Sequence, residues 1–121
     1  MRALIVDNSI VHQNILKQQL PNLGYDDLTF CNTGNSALHY LEMTRYDFLV
    51  TDLNLPGMDG ITLVQEIRRT DPYIPILMIT TKSRVEIVKK AIAAGINGLL
   101  LKPYSRDNLR TQINKIKFKI S

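Results

Sequence analysis

Short apolar runs alternate along the chain with stretches whose apolar residues recur at helical spacing. Four of these runs are continuous and bounded by polar or turn residues, which is typical of strands buried on both faces of a parallel sheet. They are residues 3–6, 48–50, 76–79 and 99–101, and a weaker fifth candidate is residues 28–31. Spacings of three and four residues between the runs predict amphipathic helices. The helical positions are Leu16, Leu20 and Leu23; residues 36–43 as a short helix; Ile61, Val64 and Ile67; Val85, Val88 and Ile92; and Leu109, Ile113, Ile116 and Ile120.

Five strand–helix units in succession predict an α/β fold with a doubly wound, five-stranded parallel sheet and five helices. A sheet this apolar needs helices on both faces, and right-handed crossovers place them there. Gly24 and Gly95 follow helical patterns where a left-handed backbone ends a helix. Pro21 is expected to kink or stop the first helix near Leu20. No repeat or linker divides the chain, so we predict one domain over residues 1–121.

The composition is that of a globular domain, with 121 residues, 45% hydrophobic and 21% charged. No apolar run approaches the roughly 18 residues of a membrane span, and the N terminus lacks the pattern of a secretory signal. A cytoplasmic protein without membrane contact is therefore predicted. Cys31 is the only cysteine, which excludes an intramolecular disulfide and favours a small buried residue. His12 and His39 are too few for a zinc site, and both are predicted to lie on the surface of helices.

Acidic and basic residues are segregated along the chain. Residues 1–81 carry five basic and nine acidic side chains, whereas residues 82–121 carry ten basic and two acidic ones. A basic C-terminal third could attract an acidic protein or a nucleic acid. The simpler interpretation, favoured from the composition, is a solvated helix face.

Polar residues follow four of the predicted strands. They are Asp7 and Asn8; Thr51 and Asp52; Thr80, Thr81 and Lys82; and Lys102 and Pro103. Ligands of open parallel sheets bind beyond the carboxyl ends of the strands, so these residues are the functional candidates. Carboxylate and amide oxygens suit Mg²⁺, while a lysine and a hydroxyl suit the oxygens of a phosphoryl group. The combination indicates phosphoryl chemistry.

The same residues belong to an ordered set of motifs that covers the whole chain. The motifs are Val6-Asp7-Asn8-Ser9, residues 51–60 (TDLNLPGMDG), Thr80-Thr81, Ala94-Gly95-Ile96-Asn97-Gly98 and Lys102-Pro103-Tyr104. With them the chain resembles the receiver domain of bacterial two-component response regulators, in particular the single-domain, CheY-like chemotaxis type. The resemblance implies the flavodoxin-like strand order 2-1-3-4-5. It also implies a receiver domain over residues 1–121 with no output domain in this chain. Such a domain would be a phosphorylation-controlled switch in a phosphorelay rather than a turnover enzyme.

The resemblance implies a role for each matching residue. Asp52 would accept a phosphoryl group from a sensor histidine kinase or a phosphotransfer protein. Thr80 and Lys102 would each contact a phosphoryl oxygen. The Mg²⁺ ligands would be Asp7, Asp52 and the backbone carbonyl of Asn54. Asn8 stands where the family carries a second acidic residue, and its amide oxygen can still bind the metal.

Other parts of the chain take structural or partner-binding roles by the same resemblance. The Lys102–Pro103 bond would be cis, and Asp59 and Gly60 would shape the loop before the third helix. The fourth helix, fifth strand and fifth helix would form the face for a downstream protein or a homodimer. The basic residues expected on that face are Lys89, Lys90, Arg110 and Lys115.

Two positions depart from the receiver pattern. Most receivers carry a second acidic residue where this chain has Asn8, so we expect weaker Mg²⁺ binding and less repulsion among the carboxylates without metal. Chemotaxis-type receivers often place an aromatic residue at Leu99, where it swings inward on phosphorylation. That aromatic switch cannot operate here in its usual form.

Three alternative functions are open to comparison. A calcium loop starting at Asp52 is rejected, because its twelfth position is Leu63 instead of a bidentate glutamate. A dehalogenase-type phosphatase would carry a second aspartate where this chain has Asn54. A nucleic-acid-binding module is disfavoured because few aromatic residues interleave with the basic ones. The basic set is Lys82, Arg84, Lys89, Lys90, Arg106, Arg110, Lys115, Lys117 and Lys119.

Overall fold

The computed structural model describes the backbone of residues 1–120 and the side chains of residues 1–117. Strands and helices alternate along the chain as the apolar pattern predicted. The strands are β1 (Arg2–Val6), β2 (Asp27–Cys31), β3 (Phe48–Thr51), β4 (Ile76–Thr80) and β5 (Gly98–Leu101). The helices are α1 (Ile10–Gln19), α2 (Gly34–Met43), α3 (Gly60–Thr70), α4 (Val85–Ala94) and α5 (Arg106–Ile120). The side chains of Lys119 and Ile120, which the sequence placed on the last helix, lie outside the described residues.

The strands form a parallel sheet in the order β2-β1-β3-β4-β5, which confirms the order implied by the receiver resemblance. At the carboxyl edge Val6 pairs with both Cys31 and Thr51, so β1 lies between β2 and β3. The direction in which successive strands are added reverses there. In folds of this kind the reversal opens a crevice for ligands, and Asp7 and Asp52 lie at that crevice.

Alternate residues of each central strand enter different apolar layers. Side chains of α2, α3 and α4 cover one face of the sheet, and those of α1 and α5 cover the other. Strand residues in the first layer are Leu4, Val6, Leu49, Ile76 and Met78; those in the second are Ala3, Ile5, Phe48, Val50, Leu77 and Ile79. Burial on both faces explains why these strands are continuously apolar rather than alternating.

The helix ends follow the predicted signals. Helix α1 ends at Gln19, just before the 3₁₀ turn that Pro21 begins, because proline cannot continue the backbone hydrogen bonding of a helix. Gly24 and Gly95 have φ angles of 99° and 118°, a left-handed backbone that favours glycine.

The three residues interpreted from composition have different outcomes. Cys31 is buried as predicted, and burial raises the pKa of its thiol to about 11. His39 is exposed on α2, also as predicted. The surface prediction for His12 is wrong, because this residue is only 6% exposed. Within the described residues, no helix is both long enough and apolar enough to cross a membrane.

Candidate functional site

Three charged side chains meet at the carboxyl edge of the sheet. Asp7 follows β1, Asp52 follows β3 and Lys102 follows β5. The Lys102 Nζ lies 3.0 Å from Asp52 Oδ2 and 3.3 Å from Asp7 Oδ2. Because β4 separates β5 from β3 and neighbouring strands lie about 4.8 Å apart, the lysine must reach across the end of one strand. Its long side chain makes that contact possible.

Asp52 is held by its own loop. Its Oδ1 accepts hydrogen bonds from the backbone N–H groups of Leu53 at 2.6 Å and Asn54 at 3.4 Å. These contacts orient Oδ2 towards Lys102. The side chain keeps 14% of its surface exposed, so a reactant can approach it from solvent.

The loop after Asp52 closes tightly onto α3. The Gly60 N–H donates to the carbonyl of Leu53 at 2.7 Å, and a Cβ at Gly60 would lie 2.1 Å from the Asp52 carbonyl oxygen. Only glycine fits this approach. Asp59 caps α3, since its Oδ1 accepts from the Thr62 N–H at 2.8 Å. The predicted shaping roles of Asp59 and Gly60 are thereby confirmed.

Asp7 is buried and is contacted on both carboxylate oxygens. Its Oδ1 accepts from the Ser9 N–H at 2.8 Å, while Oδ2 contacts His12 Nδ1 and Lys102. Burial alone would raise the pKa of Asp7. Hydrogen bonds from His12 and Ser9 and the charge of Lys102 nevertheless hold that pKa below its ordinary value. Asp7 is therefore a carboxylate at neutral pH.

His12 belongs to this site, although the sequence interpretation placed it on the surface. Its Nε2 lies 2.7 Å from the Tyr104 hydroxyl, and the two rings stand edge to face. The sequence held a signal for its burial. His12 precedes Leu16 by four residues and Leu20 by eight, so it shares their face of α1.

The remaining predicted residues lie around the charged group without joining it directly. Thr80 is fully buried at the end of β4, and its Oγ1 accepts from the Lys82 N–H at 3.2 Å. Asn8 and Asn54 are exposed beside the two carboxylates. Among the described contacts, none links the Thr80 side chain to Asp52. The Lys102–Pro103 bond is cis, as the resemblance implied.

The oxygen ligands at this edge suit Mg²⁺ better than they suit a metal ion that is bound entirely by protein side chains. Two carboxylates converge, and within the part of the chain that is described no cluster of three or more His, Cys, Asp or Glu could hold a metal. Mg²⁺ usually takes one or two carboxylates from the protein and retains several waters. The oxygen ligands available at this edge fit that preference.

Comparisons with known proteins identify the family to which the chain belongs. A family model for the response regulator receiver domain matches residues 3–114. The chain belongs to this family. Over 96% of its length it is 37% identical to the chemotaxis protein CheY-3 of Vibrio cholerae, covering 91% of that relative. The chemotaxis protein CheY of Pseudomonas aeruginosa is 36% identical, with 96% of this chain and 95% of the relative aligned.

A solved structure agrees with the fold and contains a metal. The receiver domain of a sensor histidine kinase from Pseudomonas aeruginosa matches with a TM-score of 0.83 and 30% identity, over 96% of this chain and 97% of that one. That structure has a magnesium ion coordinated in its active-site cleft. Receiver domains work with histidine kinases and downstream targets, and this chain is a phosphorylation-dependent signalling switch of the two-component type.

Proposed function

We propose that Asp52 is the phosphoacceptor. Its Oδ2 would attack the phosphorus of a phosphohistidine on a histidine kinase or phosphotransfer protein. A P–O bond forms, the P–N bond breaks, and the imidazole leaves with the electron pair. The observation that carries this proposal is the contact of Asp52 Oδ2 with Lys102 at 3.0 Å, at a partly exposed edge also lined by Asp7.

Lys102 and Thr80 would stabilise the transferred group. The Lys102 ammonium already neutralises the oxygen that reacts, and it can follow the negative charge onto a phosphoryl oxygen. Thr80 Oγ1 accepts from the Lys82 N–H, which leaves the hydroxyl proton as a donor to another phosphoryl oxygen. Both residues act as electrostatic partners rather than as proton carriers.

Mg²⁺ is the proposed cofactor. Its ligands would be the carboxylates of Asp7 and Asp52, the carbonyl of Asn54 and the amide oxygen of Asn8. When bound, the ion supplies positive charge that neutralises the phosphoryl oxygens during transfer. Asn8 contributes an oxygen without a charge, so we expect a weaker metal site than one with three carboxylates.

The chain acts as a switch with slow self-dephosphorylation rather than as a turnover phosphatase. A dehalogenase-type enzyme would place an acid two residues after its nucleophile, and Asn54 has no carboxyl group to supply one. The proposal also takes residues 1–121 as one receiver domain that works in the cytoplasm.

We place the partner face on α4, β5 and α5. Lys89, Lys90, Arg110 and Lys115 are all exposed there, and together they favour an acidic protein partner or a homodimer contact. Charge reversal of these four residues should weaken target binding. Unchanged target binding and an unchanged monomer mass after charge reversal would remove this part of the proposal. Direct nucleic-acid binding is not expected.

Intact-mass spectrometry tests the phosphoacceptor. Acetyl phosphate with Mg²⁺ should add one phosphate to the parent chain and none to Asp52→Asn. Asp59→Asn is the matched control, because asparagine caps a helix about as well as aspartate and should leave phosphorylation intact. A persistent adduct in Asp52→Asn would show that another residue is modified.

A further inference from the structure

His12 occupies a buried position where an apolar side chain would cost less. It lies on the same face of α1 as Leu16 and Leu20, and it is 6% exposed. Burying an imidazole is unfavourable unless its nitrogens find partners. Both nitrogens do, with Asp7 on one side and Tyr104 on the other.

When the His12 ring is neutral, only one placement of its proton allows hydrogen bonds to both Asp7 and Tyr104. The Asp7 carboxylate can only accept, so His12 Nδ1 donates to it. Nε2 is then the acceptor of a hydrogen bond from the Tyr104 hydroxyl, whose oxygen lies 2.7 Å away. Tyr104 thereby fixes which edge of the imidazole faces Asp7.

His12 differs from the other side chain that contacts Asp7. Lys102 is shared with Asp52, at 3.3 Å and 3.0 Å respectively, and in the proposed reaction it follows the charge to the phosphoryl group. The hydrogen-bond partners of the His12 ring are Asp7 and Tyr104, not the reacting oxygen, Asp52 Oδ2. His12 can therefore hold Asp7 Oδ2 both before and after transfer.

We propose that His12 is a positioning residue that fixes the Asp7 carboxylate for Mg²⁺, with Tyr104 orienting the His12 ring. The inference rests on the proposed function, because it takes Asp7 as a Mg²⁺ ligand. Hydrogen-bond partners of metal ligands commonly contribute about 10- to 100-fold to metal affinity. Since Tyr104 follows Lys102 and Pro103, the loop after β5 is joined to Asp7 through two side chains, Lys102 and His12.

Calorimetric Mg²⁺ titration of the full chain at constant ionic strength tests this role. His12→Leu replaces the imidazole with an apolar side chain of similar size, which removes the donor to Asp7, and it should weaken Mg²⁺ binding about tenfold. His12→Asn retains an N–H donor near the place of Nδ1 and should recover most of that loss. Tyr104→Phe removes only the hydroxyl and should weaken binding about threefold.

His39→Leu is the matched control, because it makes the same substitution at the exposed histidine of α2 and should bind Mg²⁺ like the parent. Parent-like affinity in folded His12→Leu overturns the proposal, and so do equal losses in His12→Leu and His12→Asn, which indicate packing alone. Should His12→Leu fail to fold, Tyr104→Phe decides, and parent-like affinity there overturns the proposal. If the parent itself binds no Mg²⁺, the proposed function fails instead.

Discussion

Asp7 and Asp52 lie at the same edge of the sheet and share Lys102, yet their surroundings differ. Asp7 is 2% exposed, and its oxygens contact Ser9, His12 and Lys102. Asp52 is held by backbone N–H groups of its own loop, and its side chain keeps 14% of its surface open. The difference suits two tasks. A buried carboxylate with fixed partners is suited to binding, and an accessible one to reacting with a partner protein.

The largest effect should come from removing the cation that both carboxylates share. Lys102→Ala should slow phosphorylation by acetyl phosphate about 100-fold, because a charged donor to the transferred group is lost. The same change should tighten Mg²⁺ binding a few-fold, since the ammonium no longer offsets the two negative charges. Stopped-flow or quenched kinetics and calorimetry measure the two quantities.

Lys115→Ala is the control for that variant, because Lys115 is an exposed cation of α5 outside the site. It should leave both the rate and the Mg²⁺ affinity unchanged. A Lys102→Ala chain that reacts at the parent rate would show that Asp52 does not depend on this cation.

A second prediction concerns the loop that holds Asp52. Gly60→Ala should lower the free energy of unfolding by about 3 kcal/mol, because the new methyl group overlaps the Asp52 carbonyl. Gly57→Ala should cost only about 1 kcal/mol, since it meets open space and strains only a left-handed backbone with φ of 80°. Urea denaturation of the two variants gives the comparison. Equal losses would mean that the loop yields at Gly60.

Asn8→Asp should make the site more acidic. A third carboxylate near Asp7 and Asp52 raises repulsion without metal and adds attraction with it. We expect a lower melting temperature in chelator, about tenfold tighter Mg²⁺ binding, and a larger gain in melting temperature from saturating Mg²⁺. Asn35→Asp, an exposed change on α2, is the control. Equal Mg²⁺ affinities in parent and Asn8→Asp would place Asn8 outside the metal site.

The smallest effect should be the acid dependence of stability that Asp7 contributes. The pKa of Asp7 is lowered in the folded chain, so its stabilising effect is complete above the ordinary value of 3.8 and is lost as pH falls through the folded pKa. Asp7→Asn should therefore lose less stability on acidification than the parent. Denaturation curves in chelator across the acid range measure this slope. Identical slopes would contradict the lowered pKa.

The apolar pattern predicted the elements of the fold well for a physical reason. Strands such as β1 and β4 are buried on both faces, so their continuous apolar runs are distinct from the helical spacing around them. The order of the strands had no such signal in periodicity. It followed from the resemblance to receiver domains, which the topology then confirmed.

The sequence predicted those parts of the candidate site that lie directly after the ends of strands. Asp7 and Asp52 met as expected because both follow neighbouring parallel strands. The His12 contact was missed because an isolated histidine was judged by its count and not by its helical register with Leu16 and Leu20. The reach of Lys102 past β4 to Asp7 depends on side-chain length and strand twist, which sequence spacing does not specify.

The central claim is that Asp52 carries the phosphoryl group. Borohydride reduction of the chain after treatment with acetyl phosphate and Mg²⁺ converts an aspartyl phosphate to homoserine, and tandem mass spectrometry of the peptides locates it. We expect homoserine at position 52 alone, and none when chelator replaces Mg²⁺. Homoserine at Asp7 or Asp59, or none at all under phosphorylating conditions, would contradict the assignment of Asp52.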